Sequence, residues 1–370
     1  MMQNTPPNLA EIVQRFEFDG RFLEGALYGN GHIHDTYAIW FETEHGKKHR
    51  YLLQRMNHEV FKKPISVMEN IERITRHLRL KIIAAGGDPQ RETLNLIPAR
   101  EGGFLHQSSE GNFWRAFIFI EDAQTYDSLD NLSRVYHASN CFGNFQKMLA
   151  DFPAGALHET IPNFHHTPKR FEAFLRAVEQ DSCNRAGEVR DEINFIQARA
   201  SDTKVLMDLL EQGKLPLRIT HNDTKLNNVM IDNRTGRGLC LIDLDTVMPG
   251  LSLYDFGDAI RAGAITAAED EADLSRVGLS LAVFEQMARG YLDSARDFLM
   301  PAEMDHLAFS AKLITLEQCI RFLTDYLNGD VYYRIHHPLH NLERCRTQLK
   351  LVMEMEKNTD NMERIIERCR

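Results

Sequence analysis

No long apolar run, no close cysteine pair and no basic cluster occurs in this 370-residue chain, and each absence removes a class of protein. A membrane-spanning helix needs roughly 18 or more consecutive apolar residues, and nothing here approaches that. Met1 to Ala10 is polar and Pro-containing, with no apolar secretory segment. The six cysteines (Cys141, Cys183, Cys240, Cys319, Cys345 and Cys369) are far apart and form no CxxC pair. Such spacing favours reduced thiols over a disulfide framework or a zinc site. Lys and Arg number 43 against 53 Asp and Glu, a net charge of −10. The basic residues are scattered, so no positive stripe is present to neutralise a nucleic-acid backbone. There is also no internal repeat and no low-complexity tract. The expectation is a cytoplasmic, monomeric enzyme or binding protein with no membrane or nucleic-acid partner.

What is present divides into two textures. The first third is rich in β-branched and aromatic runs: Thr36–Glu42 and Arg50–Met56 flank a polar turn and predict a hairpin. A helix is predicted from Pro64, with apolar residues at Val67, Ile71, Ile74, Leu78 and Ile82, ending at Gly86-Gly87. Further strands are expected near Leu94–Ala99 and Asn112–Ile120. After Glu121 the period becomes helical, as at Val135–Leu149, Phe171–Val178 and Leu307–Tyr326, except for short strands at Leu217–Thr220, Val229–Ile231 and Leu239–Ile242. The fold class is therefore α+β and two-lobed: a β-rich lobe (1–121) holds one helix, and a mainly helical lobe (122–370) follows.

The strongest chemical signal is ITHNDTKLNNVMID at Ile219–Asp232, followed by a strand ending in Ile242-Asp243. This is H-x-D-x-x-x-x-N with a second acid closing the next strand, the pattern of a kinase catalytic loop and its metal-binding acid. Asp223, at a strand end, is placed to orient an attacking hydroxyl and take its proton. Asn228 and Asp243 offer hard oxygen ligands for Mg²⁺. Lys225 is expected beside the transferring phosphoryl group, and His221 as a prop for the loop. Asp255-Phe256-Gly257 spells DFG, but no hairpin strand leads into it. Asp255 reads as a loop anchor or helix cap, and Asp258 as a bystander.

Gly29 and Gly31 in YGNGHIHD suit a loop whose backbone approaches phosphates. No GxxxxGK[ST] is present to do so instead. Arg55, at the end of the second strand run, is expected to contact the nucleotide phosphates, with Glu69 on the next helix, or its rival Glu72, as its ionic partner. Arg321 and Asp325, four apart on one helix, read as an intrahelical salt bridge or as a polar pair aimed at a hydroxyl-rich ligand. The histidines at His165-His166 and His336-His337-Pro338-Leu339-His340 lie in loop-like segments without the spacing of a zinc site.

With those residues in view, the chain resembles the aminoglycoside phosphotransferase and choline kinase superfamily, and within it the bacterial N-acetylhexosamine 1-kinases. The strings YGNGHIHDTY, ITHNDTKLNNVMID, LIDLDTVMPGLSLYDFGDAIR and TLEQCIRFLTDYLNGDVYY carry that resemblance over nearly the whole length. It implies a protein-kinase-like two-lobed fold with a nucleotide-binding lobe (1–121) and a catalytic, sugar-binding lobe (122–370). It implies also ATP and Mg²⁺ as cofactors, a sugar as the small-molecule partner, and phosphorylation of the anomeric hydroxyl of GlcNAc or GalNAc. Asp223 is then the base, Asn228 and Asp243 the metal ligands, and Arg321, Tyr332 and Asp325 sugar contacts. The alternatives are a kinase of another small molecule, such as an aminoglycoside, choline or other sugar, and a non-catalytic nucleotide- or sugar-binding regulator.

Overall fold

The computed structural model describes residues 7–29, 33–126 and 131–370. A short helix, α1 (Leu9–Val13), precedes three strands, β1 (Arg21–Leu27), β2 (Asp35–Glu42) and β3 (Lys48–Met56); then come α2 (Pro64–Ala84), β4 (His106–Gln107) and β5 (Phe113–Ile118). The strands form one antiparallel sheet in the order β1-β2-β3-β5-β4. The predicted hairpin is β2–β3, with Thr36 opposite Gln54. α2 starts at its proline and stops short of Gly86, as expected.

Two elements differ from the sequence expectation. Leu94–Ala99 is not a strand: it touches β5 only through isolated bonds, Ile97 N–H to the Ala116 carbonyl and Ile118 N–H to the Asn95 carbonyl, both 2.9 Å. The ladder stops because the next N–H that faces β5, that of Ala99, turns to the Gly103 carbonyl (2.9 Å), and β4 takes the β5 edge opposite Phe113 and Trp114. In addition β1, which the sequence does not predict, forms the sheet edge; a Cβ on Gly25 would meet Leu9 Cδ1 at 2.8 Å and Ile39 Cγ2 at 2.9 Å, so a larger residue there would have to displace them.

Beyond the sheet the chain is mainly helical. β6 (Ala123–Gln124) is followed by α3 (Leu132–Met148), α4 (Thr167–Gln180), α5 (Arg190–Gln197) and α6 (Val205–Glu211). Then come β7 (Arg218–Thr220), β8 (Val229–Asp232), β9 (Gly238–Leu241) and β10 (Met248–Gly250), and after them α7 (Ser252–Gly263) and α8 (Leu281–Ala295). α9 (Pro301–Asp305), α10 (Leu307–Leu327), α11 (His340–Lys357) and α12 (Thr359–Cys369) complete it. β6, β8 and β9 make one small sheet, β7 and β10 another.

Three apolar clusters hold these parts. One lies on the α1 side of the large sheet, around Phe16, Ile39, Leu53 and Trp114. A second joins α4, α5, α10 and α11. The largest is shared: Met56, Phe61 and the α2 residues Val67, Ile71, Ile74 and Leu78 pack in the same cluster as Phe142, Leu241, Val247 and Ile260. α2 thus belongs as much to the helical part as to the sheet. α7 is buried at every position from Ser252 to Arg261. Gly257 lets it press on α10, where a Cβ would come within 2.6 Å of the Ser310 carbonyl.

Candidate active site

The loop between β7 and β8 is built almost wholly from hydrogen bonds to its own backbone. Asp255 and Asp258, three apart on α7, present two carboxylates on one helix face. Asp255 accepts the N–H groups of His221 (2.9 Å) and Asn222 (2.8 Å) and is itself held by Gln146. Asp258 accepts the Thr224 N–H at 2.9 Å and pairs with Arg261. Asp255 is therefore the expected loop anchor, and Asp258 is no bystander but a second one. Burial opposes ionisation of Asp258, yet the charges of Arg261, His165 and Lys225 bring it to about 2. His221 props the loop as read: its Nε2 meets the Ile242 carbonyl at 2.9 Å. Asn222 sits at φ 64°, a left-handed conformation that asparagine tolerates.

Gripped from both sides, the loop presents Asp223 with its neighbours. Asn228 Nδ2 donates to the Asp223 carbonyl (2.8 Å) and to its Oδ2 (3.1 Å), and Lys225 Nζ stands 3.1 Å from Oδ1. Ile242 N–H binds the Asn228 carbonyl at 2.9 Å, which seats Asp243 next to Asn228. Asp243 is held at φ 58°, ψ 56°, a backbone state that costs a non-glycine residue about 1 kcal/mol or more. Burial pushes its carboxyl well up, and the nearby charges of Asp245 and then Asp223 add to that. The sequence-predicted quartet of Asp223, Lys225, Asn228 and Asp243 is thus brought together.

A divalent cation fits this donor set. Asn228 spends its amide hydrogens on Asp223, and no described residue donates to its Oδ1. Among the described residues, carboxylates 223, 243 and 245 face Lys225 and Arg115 as lysine or arginine partners, which leaves negative charge over. Asn228 and Asp243 would hold the ion, whose chemistry is to draw together and neutralise phosphate oxygens.

The sheet contributes a contact that the sequence did not reveal. Arg115 on β5 forms a bidentate pair with Asp245, at 2.6 and 2.7 Å, and its Nε donates to Gln54 at 3.0 Å. Burial works against the Asp245 carboxylate, but Arg115, with help from His34, holds it well below the usual range. Arg55 lies on the opposite face: it binds Asp35, Nε to Oδ2 at 2.7 Å, beside Tyr37, Leu53 and Trp114. Glu69 does not pair with it but meets His158 Nε2 at 2.5 Å and Arg73 at 3.6 Å. The expected Arg55–Glu69 pair is therefore not formed, because successive strand residues point to opposite faces and Gln54 takes the inward one. Gly29 has φ 77° at the start of its loop, as a turn glycine should; Gly31 lies outside the described residues.

A second group adjoins the loop through His165, whose ring reaches Glu317 on α10 at 2.8 Å and the Asn222 carbonyl at 3.3 Å. One turn along α10, the Arg321 guanidinium lies 5.0 Å from the Phe164 ring, 6.0 Å from Tyr332 and 5.7 Å from Tyr333, and Nη1 donates to Gln318. Tyr332 is exposed; Tyr333 is tied to Gln318 through its hydroxyl at 3.1 Å. The charge of Glu269, which pairs with Arg261 at 2.8 Å, is felt at both Lys225 and Tyr333. Asp325 is not among these groups and does not pair with Arg321. Its carboxylate is buried and takes the N–H groups of Val331, Tyr332 and Tyr333 and the Asn341 amide. It shapes the tyrosine loop rather than facing a ligand. Phe164, Gln318 and Tyr333 were missed because nothing local in the sequence marks them. The histidines likewise pin loops, His340 binding Asp270 at 3.1 Å.

A sheet with one helix, set on a helical body whose paired acids lie beneath it, is the protein-kinase-like architecture. Known proteins agree. A family model described as a phosphotransferase enzyme family matches residues 25–292, and the chain belongs to that family. Among solved structures it is similar to an aminoglycoside phosphotransferase from Alicyclobacillus acidocaldarius, with 10% identity, 99% of this chain and 98% of that one covered, and a TM-score of 0.60. It is similar also to a microcompartment-associated aminopropanol kinase (13%, 96% and 98%, 0.58). A third is an amicoumacin kinase in complex with AMP-PNP, Ca²⁺ and Ami (12%, 92% and 92%, 0.56). At these identities the likeness is one of fold.

Proposed function

We propose that the protein transfers the terminal phosphoryl group of ATP, with Mg²⁺, to the anomeric hydroxyl of an N-acetylhexosamine, GlcNAc or GalNAc. Family membership supports phosphoryl transfer to a small molecule, and the amicoumacin kinase bound to AMP-PNP and Ca²⁺ is consistent with a nucleotide and a divalent ion. In this reading 1–121 carries the nucleotide and 122–370 the catalytic loop and the sugar. Asp223 takes the proton of the attacking hydroxyl, while Lys225 stays close enough to balance charge as it moves. An anomeric hydroxyl is more acidic than an ordinary alcohol, so a positioned carboxylate suffices as base.

The observation that carries the choice of acceptor is Arg321 among Phe164, Tyr332 and Tyr333. A guanidinium with two tyrosines offers donors to hydroxyl and N-acetyl oxygens, and aromatic faces to a sugar ring. It repels a cationic acceptor, which would be held by an acidic or aromatic cage without such a charge. Among the described residues no helix is long and apolar enough to cross a membrane. The test is incubation with ATP and Mg²⁺ against N-acetylhexosamines, other sugars, choline, amino alcohols and aminoglycosides, with ³¹P and ¹³C NMR locating the new phosphate. A sugar 1-phosphate from GlcNAc or GalNAc is expected. Phosphorylation confined to a cationic acceptor would overturn the sugar assignment.

A further inference from the structure

His34 directly precedes β2, and beyond its help to Asp245 the chemistry above gives its side chain no role. The ring is 6% exposed, stacked on Phe61 with centroids 5.5 Å apart. Nδ1 accepts the Asn57 amide hydrogen at 3.0 Å, so the ring proton sits on Nε2. That Nε2–H is buried and has no hydrogen-bond partner among the described residues. Its neighbour Asp245 Oδ2 is 3.5 Å away and already engaged by Arg115. Ligand atoms of His34, Asp243 and Asp245 all lie within 4.8 Å of one another, so His34 stands beside the acid that would hold the cation.

The same cluster invites a reading as a three-residue metal cage, and the hydrogen bonds argue against it. A neutral imidazole ligates a metal through a free lone pair, and the lone pair of His34 is spent on Asn57. Each oxygen of Asp245 likewise accepts a hydrogen bond from Arg115. What remains at this spot is a buried donor whose neighbour Asp245 Oδ2, 3.5 Å away, makes no hydrogen bond of good geometry with it. Buried polar groups are rarely left so, and a ligand oxygen is the usual missing partner.

We propose that His34 Nε2–H donates to a phosphate oxygen of the bound nucleotide, beside the cation held by Asp243 and Asn228. This rests on the phosphoryl-transfer reading and adds a specific phosphate contact to it. The histidine fixes the phosphate tail from the sheet side, where Arg55 is turned away, and Asn57 fixes the histidine.

Binding of Mg·AMP-PNP, Mg·ADP and adenosine is measured calorimetrically on wild type, His34→Phe and His34→Gln. His34→Phe keeps a ring on Phe61 and removes the donor; His34→Gln keeps a donor at the same reach. Losing one hydrogen bond to a charged oxygen corresponds to roughly 10- to 100-fold in affinity. That loss is expected for AMP-PNP or ADP with His34→Phe, with adenosine unchanged and with recovery to within about threefold of wild type in His34→Gln. In wild type the His34 Nε2–H resonance should move downfield with Mg·AMP-PNP and stay put with adenosine, a readout that needs no variant. Equal weakening of adenosine and AMP-PNP, or no shift of that resonance, overturns the proposal. So does loss of Mn²⁺ binding to the nucleotide-free protein in both variants, which would make His34 a ligand. Should wild type bind no Mg·nucleotide at all, the phosphoryl-transfer reading itself fails.

Discussion

Arg115→Met tests how the sheet and the catalytic body are joined. The wild-type pair is dry, the two side chains being 2% and 1% exposed, and every polar atom of the fork has a partner in Asp245 or Gln54 within about bonding range. Methionine keeps most of the volume and removes the charge. Asp245 is then left as an uncompensated carboxylate beside Asp243, and breaking a buried pair in this way costs about 3–5 kcal/mol. For a chain of this size that is a fall in Tm of roughly 4–6 °C. The two tryptophans, Trp40 and Trp114, both lie in the large sheet, whereas most of the helix is elsewhere. Urea unfolding followed in parallel by tryptophan fluorescence and far-UV circular dichroism therefore reports the two parts separately. Both signals should move to lower urea in Arg115→Met, fluorescence the further. In Arg115→Met/Asp245→Leu, which removes both charges, most of the loss should be recovered, because replacing a buried pair by apolar groups is often near neutral. A single variant within about 1 kcal/mol of wild type, or a double variant as unstable as the single one, would refute the reasoning.

The other expectations follow from the same contacts. Asp223→Asn should lower kcat by roughly two to four orders of magnitude while the dissociation constant of Mg·ADP changes little; retained turnover would remove the base assignment. Arg321→Ala should raise the KM for the sugar far more than that for ATP, and the opposite split would take the residue out of the acceptor site. Asp232, bound by the N–H and hydroxyl of Thr235 and then by Arg91, has its carboxyl lowered to about 2. A depressed carboxylate stabilises the fold above the ordinary pKa near 4 and ceases to do so as pH falls towards 2. Asp232→Asn should accordingly cost about 2 kcal/mol at pH 7, with a difference that closes in acid. A gap that does not change with pH would contradict this.

What the sequence made legible is what is local. The helical period of α2 and α10, the proline at the head of α2 and the spacing from His221 to Asp243 are properties of neighbours along the chain, and each is found where it was read. Strand parity was less accessible. Residues 51–56 are apolar on both faces, so alternation alone does not say whether Gln54 or Arg55 turns inward, and Arg55 was given a place that its neighbour occupies. The Leu94–Ala99 expectation failed because Ala99 bonds Gly103 in a turn and a later segment, β4, takes the sheet edge, and β1 was missed because Glu24 and Gly25 interrupt its apolar residues. The pairing of Arg115 with Asp245 and the grip of Asp258 on Thr224 span 130 and 34 residues. No pattern within a window announces them. Asp325 was read from its spacing to Arg321, but the donors it meets come from a loop that folds back after the helix ends.

The core shared by α2 sets a rule for anyone cutting or recombining this protein. A fragment beginning after residue 121 would lose the apolar stripe of α2 and present Phe142, Leu241 and Val247 to water, so it should aggregate rather than behave as an independent module. Chimaeras that exchange the front third with a distant relative would tolerate new strands more readily than a new helix at 64–84, whose side chains are cut to fit a surface encoded far downstream. Evolution of the nucleotide end and of the acceptor end is to that extent tied together, with α2 as the piece that must satisfy both.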